Sequence, residues 1–174
     1  MRIGVSGAHR VGKTTLVENL QEFLPDYICK AEAYYELEET GFVFSEIPVY
    51  EDYLILLEHS IEQITSDENN IIFDRCPVDI LAYIQATIES DNFNIQSLYQ
   101  RVLDVMNEID LLIFVPFEKP DLIGCPESDL PELRRRVNEI LKEWIRDFNL
   151  NVLQVAGSPI ERRDQVLRHM SKEY

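Results

Sequence analysis

The sequence is poor in several things, and each shortage removes a class of explanation. Cysteine is sparse: Cys29, Cys76 and Cys125 are the three in 174 residues. They are odd in number, far apart and outside any CxxC or Cys/His spacing. That argues against a disulfide framework and a zinc site and predicts a thiol protein of the cytoplasm. Positive charge is scarce too, with 16 Lys and Arg against 32 Asp and Glu and a net charge of −16. A broad nucleic-acid surface needs a basic face, and an anionic membrane repels an acidic protein, so neither is an expected partner. Long apolar runs are missing. "LLIFV" is about the longest, far short of the roughly 18 residues of a membrane span. The chain opens directly on "MRIGVSG", which predicts no secretory leader. There is no repeat and no low-complexity linker.

What remains is ordinary globular material. Apolar residues make up 45% and charged residues 28%. A chain of this length buries a proper core, and one domain spanning 1–174 is the expectation. Monomer and homodimer both stay open.

Short apolar runs alternate with longer helical patterns. "RIGVS" (2–6), "YICK" (27–30), "NIIF" (70–73), "LLIFV" (111–115) and "NVLQV" (151–155) read as strands. Most are continuously apolar, which suits a sheet covered on both faces. Helices are predicted at about 13–24, 48–66, 77–90, 94–108, 130–148 and 159–172. Tyr50, Tyr53, Leu54, Leu57, Ile61 and Ile64 form one apolar stripe. Leu133, Val137, Ile140, Leu141, Trp144, Ile145 and Phe148 form another, with Ser128 or Asp129 as its cap and Pro131 in its first turn. Such alternation implies a mostly parallel sheet with right-handed crossovers. Ligands of these sheets bind outside the carboxyl ends of the strands, so chemistry is sought just after each strand.

After the first strand comes "SGAHRVGKTT". Gly7, Gly12, Lys13 and Thr14 match G-x-x-x-x-G-K-[ST], between a strand and a helix as the motif demands. The glycines permit conformations that a Cβ would block. Backbone N–H groups of Gly7, Ala8, His9, Arg10, Val11, Gly12, Lys13, Thr14 and Thr15 form the expected phosphate cradle, at the positive end of a helix. Lys13 offers a point charge to the β and γ phosphates, and Thr14 offers a hydroxyl to Mg²⁺. ATP and Mg²⁺ are therefore the expected cofactors. The His9 side chain reads as a hydrogen-bonding loop group rather than a base.

After the third strand, "NIIFDRCPVDILAY" sets Asp74 and Arg75 at a strand end. Asp74 can hold Mg²⁺ or accept a proton from an attacking hydroxyl. Arg75 suits an anionic group on a second molecule, which guanidinium binds bidentately. A structural Asp–Arg ion pair is the bland alternative. Asp79 shares a helix face with Tyr83, four residues on. It either complements the helix dipole in the first turn or touches substrate.

"SGAHRVGKTTL" together with "FDRCPVDILAY" resembles the small P-loop proteins grouped as AAA-domain or ATP/GTP-binding proteins. These are kin to the kinase domain of nicotinamide-riboside kinases and, more distantly, to thymidylate and deoxynucleoside kinases. The resemblance spans essentially the whole chain. It implies a three-layer α/β P-loop fold, with five parallel strands in the order 2-3-1-4-5. It implies a lid at about 116–136, where relatives carry an arginine just before the helix and this chain has "GCPE". Of the arginines that follow, Arg134 best matches the family position that closes over the γ-phosphate. Arg134 and Arg136 flank the apolar stripe, and Arg135 points away from it. The resemblance also sets Glu32 where relatives meet the acceptor with an acidic residue, although Ala33-Tyr34 follow it where relatives often have an arginine. It sets Gly157 beside the adenine, with Arg162 or Arg163, Arg163 foremost, to stack on it. Tyr34, Tyr35, Phe42 and Phe44 suit packing better than base stacking. Glu36, Glu38 and Glu39 read as a solvated face.

The expected function is transfer of a phosphoryl group from ATP to a nucleoside-, nucleotide- or nicotinamide-riboside-like acceptor. Lys13, Asp74, Arg75 and Arg134 are the candidate catalytic residues, and Glu32, Arg75 and Asp79 the candidate acceptor contacts. Thr14 and Asp74 are the candidate metal ligands. Glu32 and Asp74 are both candidates for the base. An ATP-gated interaction module, or an ATPase without an acceptor, is the alternative. A GTPase is disfavoured because "FVPFEKPD" follows the fourth strand with no N-K-x-D.

Overall fold

The computed structural model describes residues 1–66, 68–87, 95–121, 123–148 and 150–173. Five strands pair in parallel: β1 (Arg2–Ser6), β2 (Ile28–Lys30), β3 (Ile71–Asp74), β4 (Leu111–Phe114) and β5 (Val152–Gln154). Their order is β2-β3-β1-β4-β5, the three-layer α/β arrangement of a P-loop fold and the order expected. Ile3 faces Ile72 in register, and Val5 faces Asp74, so Asp74 ends its strand one residue short of the end of β1. The continuous apolar runs have the burial that a sheet covered on both faces requires, since every residue of β3 and β4 is buried.

The helices are α1 (Lys13–Gln21), α2 (Ala33–Glu39), α3 (Tyr50–Ile64), α4 (Pro77–Thr87), α5 (Gln96–Met106), α6 (Pro131–Asp147) and α7 (Pro159–Glu173). α4 and α5 are the two helices expected over 77–90 and 94–108; residues 88–90 and 94 of those spans lie outside the described residues. The amphipathic stripes hold. Tyr53, Leu57, Ile61 and Ile64 of α3 are buried, as are Val137, Leu141 and Ile145 of α6.

Three local expectations are corrected. The segment after β2, outside the predicted helices, contains α2, whose Ala33 is buried while Tyr34 stacks on Phe44 at 4.6 Å. The ring-on-ring contacts, continued by Phe42 at 4.7 Å from Phe44, supply a local apolar cluster for this short helix. Glu36 is not a merely solvated acid, because its carboxylate meets His59 of α3 at 3.0 Å. Neither Ser128 nor Asp129 caps α6. They sit in a 3₁₀ turn (Glu127–Asp129), and Leu130, at φ 52, precedes Pro131 instead. Asp129 is turned toward Arg10, which explains why it is lost as a cap.

Candidate functional site

The loop between β1 and α1 is held by a buried carboxylate. Asp79 Oδ1 accepts from the Ser6 hydroxyl at 2.8 Å and from the Gly7 N–H at 2.7 Å. Its Oδ2 accepts from the Cys76 N–H at 2.8 Å, just before α4. The side chain is fully buried. The expectation that Asp79 touches an acceptor is therefore corrected: both oxygens are spent on anchoring the loop to α4. A carboxylate in the first turn of a helix can bond back to the preceding N–H, and that geometry draws it inward.

Further along the loop, Arg10 has φ 53 and Gly12 has φ 89. Gly12 leads into α1, and a Cβ there would sit 3.1 Å from Arg162 Nη1, so a bare backbone is needed. Ala8 and Val11 are buried, while Thr14 and Thr15 stand exposed at the first turn. Lys13 folds back, donating from Nζ to the Ala8 carbonyl at 2.8 Å. Burial first, then the nearby Arg75 charge, bring its amine down to about 8.

Asp74 lies beneath this turn. Its carboxylate accepts a hydrogen bond from Thr14, yet burial outweighs that and pushes the carboxyl up. Oδ1 of Asp74 is buried and has no hydrogen-bond partner. An orphan oxygen beside a threonine hydroxyl is an opening for a cation. No group of three or more His, Cys, Asp or Glu side chains suited to a metal occurs among the described residues.

Arg75 follows at φ 84, a strained setting for a residue with a Cβ and one typical of functional turns. Its backbone N–H donates to Val5 O at 3.0 Å, so the sheet enforces the turn. The guanidinium lies 2.6 Å from Glu32 Oε1 and 5.4 Å over the Tyr83 ring. Glu32, at the N-terminus of α2, is thus the anion for Arg75, a pairing of two loops that no local spacing foretold. Tyr83 is a hub. Its hydroxyl accepts from the His9 N–H at 2.8 Å and lies 2.7 Å from His9 Nδ1. His9 Nε2 is 2.7 Å from the Asp129 carbonyl, which can only accept. The proton is therefore on Nε2, and Nδ1 accepts from Tyr83. Burial lowers the imidazole's pKa, consistent with a neutral, structural ring.

These groups border a cavity of about 400 Å³. His9 and Arg10 of the loop form its near edge, Glu32 and Arg75 its polar wall, and Tyr53, Ile80, Tyr83 and Leu133 its apolar wall. Tyr53 and Tyr83 stack at 5.8 Å with their planes 13° apart. The cavity also reaches Tyr34. It is lined by two guanidinia, Arg10 and Arg75, and three carboxylates, Glu32, Glu46 and Asp129.

The remaining arginines are redistributed. Arg134 is buried, with Nε donating to His9 O at 3.0 Å and Nη2 to Arg10 O at 2.6 Å. Its outer edge is held by Asp121 at 2.5 Å. Arg135 pairs with Glu132 on the surface, as its angle on the helix implies. Arg163 does not reach the loop. Its guanidinium lies 4.4 Å over Phe23, past the C-terminal end of α1. Arg162 does reach it, because it shares the buried face of α7 with Val166 and Met170, four and eight residues on. That periodicity was the available signal. Gly157, at φ 93, holds a left-handed backbone conformation that a Cβ would strain, and its N–H donates to Glu118.

A phosphate-binding turn after β1, a carboxylate ending the adjacent β3 and this strand order define a P-loop nucleotide-binding fold. The chain belongs to the AAA-domain family, whose model matches residues 2–163. Solved structures agree on the fold. A deoxyadenosine kinase from M. mycoides, with products dCMP and dCDP bound, is 17% identical with a TM-score of 0.70, covering 100% of both chains. Thymidylate kinase from Candida albicans is 18% identical with a TM-score of 0.66, covering 98% of this chain and 91% of that one. A NadR protein in complex with NR is 18% identical with a TM-score of 0.72, covering 97% of this chain and 51% of that one. Comparison with curated protein sequences gives no match.

Proposed function

We propose that the protein transfers the γ-phosphoryl group of ATP to a hydroxyl of a small, uncharged, nucleoside-like acceptor. The observation that carries this is the cavity, which abuts the phosphate loop at His9 and Arg10 and has the Glu32–Arg75 pair in its wall. A hydrolase has no use for a second half-apolar cavity beside the loop. Glu32 borders that cavity and is the better-placed base, while Asp74 is buried against Thr14. Arg75 orients Glu32 and the acceptor. Because Glu32 already matches its charge, Arg75 has little to offer an acceptor phosphate. The surplus of carboxylates in the lining disfavours one further.

Thr14 and the unpartnered Asp74 Oδ1 are the residues that would hold a Mg²⁺. When bound, that ion would supply charge neutralisation to the phosphates. On this reading the lid is the region 116–136, which includes Arg134, and its closure would keep water from competing with the acceptor. The free thiols fit a cytoplasmic setting, and no described helix is long and apolar enough to cross a membrane. A second reading, an ATP-gated interaction module with little turnover, is favoured by one observation. Arg134 is engaged on both edges, by the His9 and Arg10 carbonyls and by Asp121.

A thermal-shift panel separates the readings. With MgATP present, a nucleoside is expected to raise the midpoint beyond MgATP alone, and its 5′-monophosphate to raise it less. A panel in which only monophosphates add stability contradicts the charge argument. A panel in which no acceptor adds stability favours the module.

A further inference from the structure

The phosphate loop can point its N–H groups at a ligand only if its carbonyls are satisfied on the opposite side. Three consecutive carbonyls meet buried guanidinium groups. Arg134 takes those of His9 and Arg10, and Arg162 Nη1 donates to that of Val11 at 2.5 Å. Arg162 is 5% exposed and comes from α7, 151 residues further along the chain. Its other edge donates from Nη2 to Glu118 Oε2 at 2.9 Å. Glu118 Oε1 in turn accepts from the Gly157 N–H at 2.8 Å. One guanidinium therefore connects the phosphate loop, the segment after β4 and the turn before α7.

We infer that Arg162, held by Glu118, is a positioning residue for the donor phosphates. It fixes the Val11 carbonyl outward and so aims the N–H of the same peptide unit, that of Gly12, into the cradle. The geometry needs two donors in a rigid plane, one for Val11 O and one for Glu118. An ammonium supplies charge without that fork. The positive charge of Arg162 is matched by Glu118, so its effect is on loop shape rather than on net field. A buried ion pair is also a poor source of fold stability, because desolvation offsets much of its attraction. Loop shape and fold stability therefore separate in experiment. The inference rests on the reading of residues 7–15 as the donor site.

The test measures dissociation constants for MgATP and for inorganic tripolyphosphate, well below the unfolding midpoint. The variants are Arg162→Lys and the double variant Arg162→Met with Glu118→Gln, which removes the pair without stranding a charge and keeps an acceptor for Gly157. Both are expected to weaken both ligands about tenfold, the order of one lost charge-assisted orientation. The double variant is expected to stay folded, with a thermal midpoint lowered only by the one Val11 carbonyl it leaves without this donor. Unchanged affinity for both ligands in either folded variant overturns the inference, as does full recovery in Arg162→Lys. Should the double variant not fold, Arg162→Lys decides alone. A wild-type protein that binds neither ligand overturns the donor-site reading instead, and is distinguishable because it precedes any substitution.

Discussion

At the scale of single residues, charge and burial act on Lys13 in a way that can be measured. Its amine is brought to about 8 by burial and by Arg75. A bound polyphosphate favours the ammonium and raises that value again. Binding then takes up a proton wherever the free protein has lost it, which is above about pH 8. MgATP affinity is therefore expected to be level below pH 8 and to fall about tenfold per unit above it, as one linked proton requires. Titration calorimetry at pH 8.5 in two buffers of different ionisation enthalpy is expected to show proton uptake. A flat affinity from pH 7 to 9.5 contradicts the assignment. Lys13 itself was legible from the motif, but its state was not, since Arg75 approaches it from another strand.

At the scale of elements, Asp79 ties β1 and the phosphate loop to the start of α4 through three donors. Asp79→Ala leaves the Ser6 hydroxyl and the Gly7 and Cys76 N–H groups buried without that acceptor. Each such group costs roughly 1–3 kcal/mol, so a loss of about 3 kcal/mol or more is expected in urea unfolding. A change under about 0.5 kcal/mol contradicts the anchoring role. Strands and helices were largely legible, because the apolar runs and stripes are long and buried as their periods imply. α2 was not, since five of its seven residues are acidic or aromatic, with Ala33 the one buried. The cap of α6 misled for a related reason: Asp129 is a good cap chemically, but Arg10 competes for it across 119 residues. A residue's preference for a local role holds only while no distant charge offers a better partner.

At the scale of the whole molecule, an acidic chain concentrates its few cations behind and beside one loop. Arg10, Lys13, Arg75, Arg134 and Arg162 all meet there, brought by β1, α1, β3, α6 and α7. The sequence showed which cations follow strand ends, but not how they divide the work. Arg75 was read as seeking an acceptor's anion, and its anion is Glu32. Spacing did not show that Arg162 would meet the loop carbonyl of Val11 while Arg163 lies over Phe23. Such pairings depend on which long side chains meet across the sheet, information that resides in the packed fold rather than in spacing. On the proposed function this is a two-ligand site, in which the phosphate loop and the neighbouring cavity share His9 and Arg10. The most direct test follows the label from γ-labelled ATP in the presence of a nucleoside panel, for the wild type and for Glu32→Gln. Label is expected on one nucleoside, with transfer falling about 10²-fold or more in the variant while MgATP binding holds. Label released only as inorganic phosphate, or transfer undiminished in Glu32→Gln, would contradict the account.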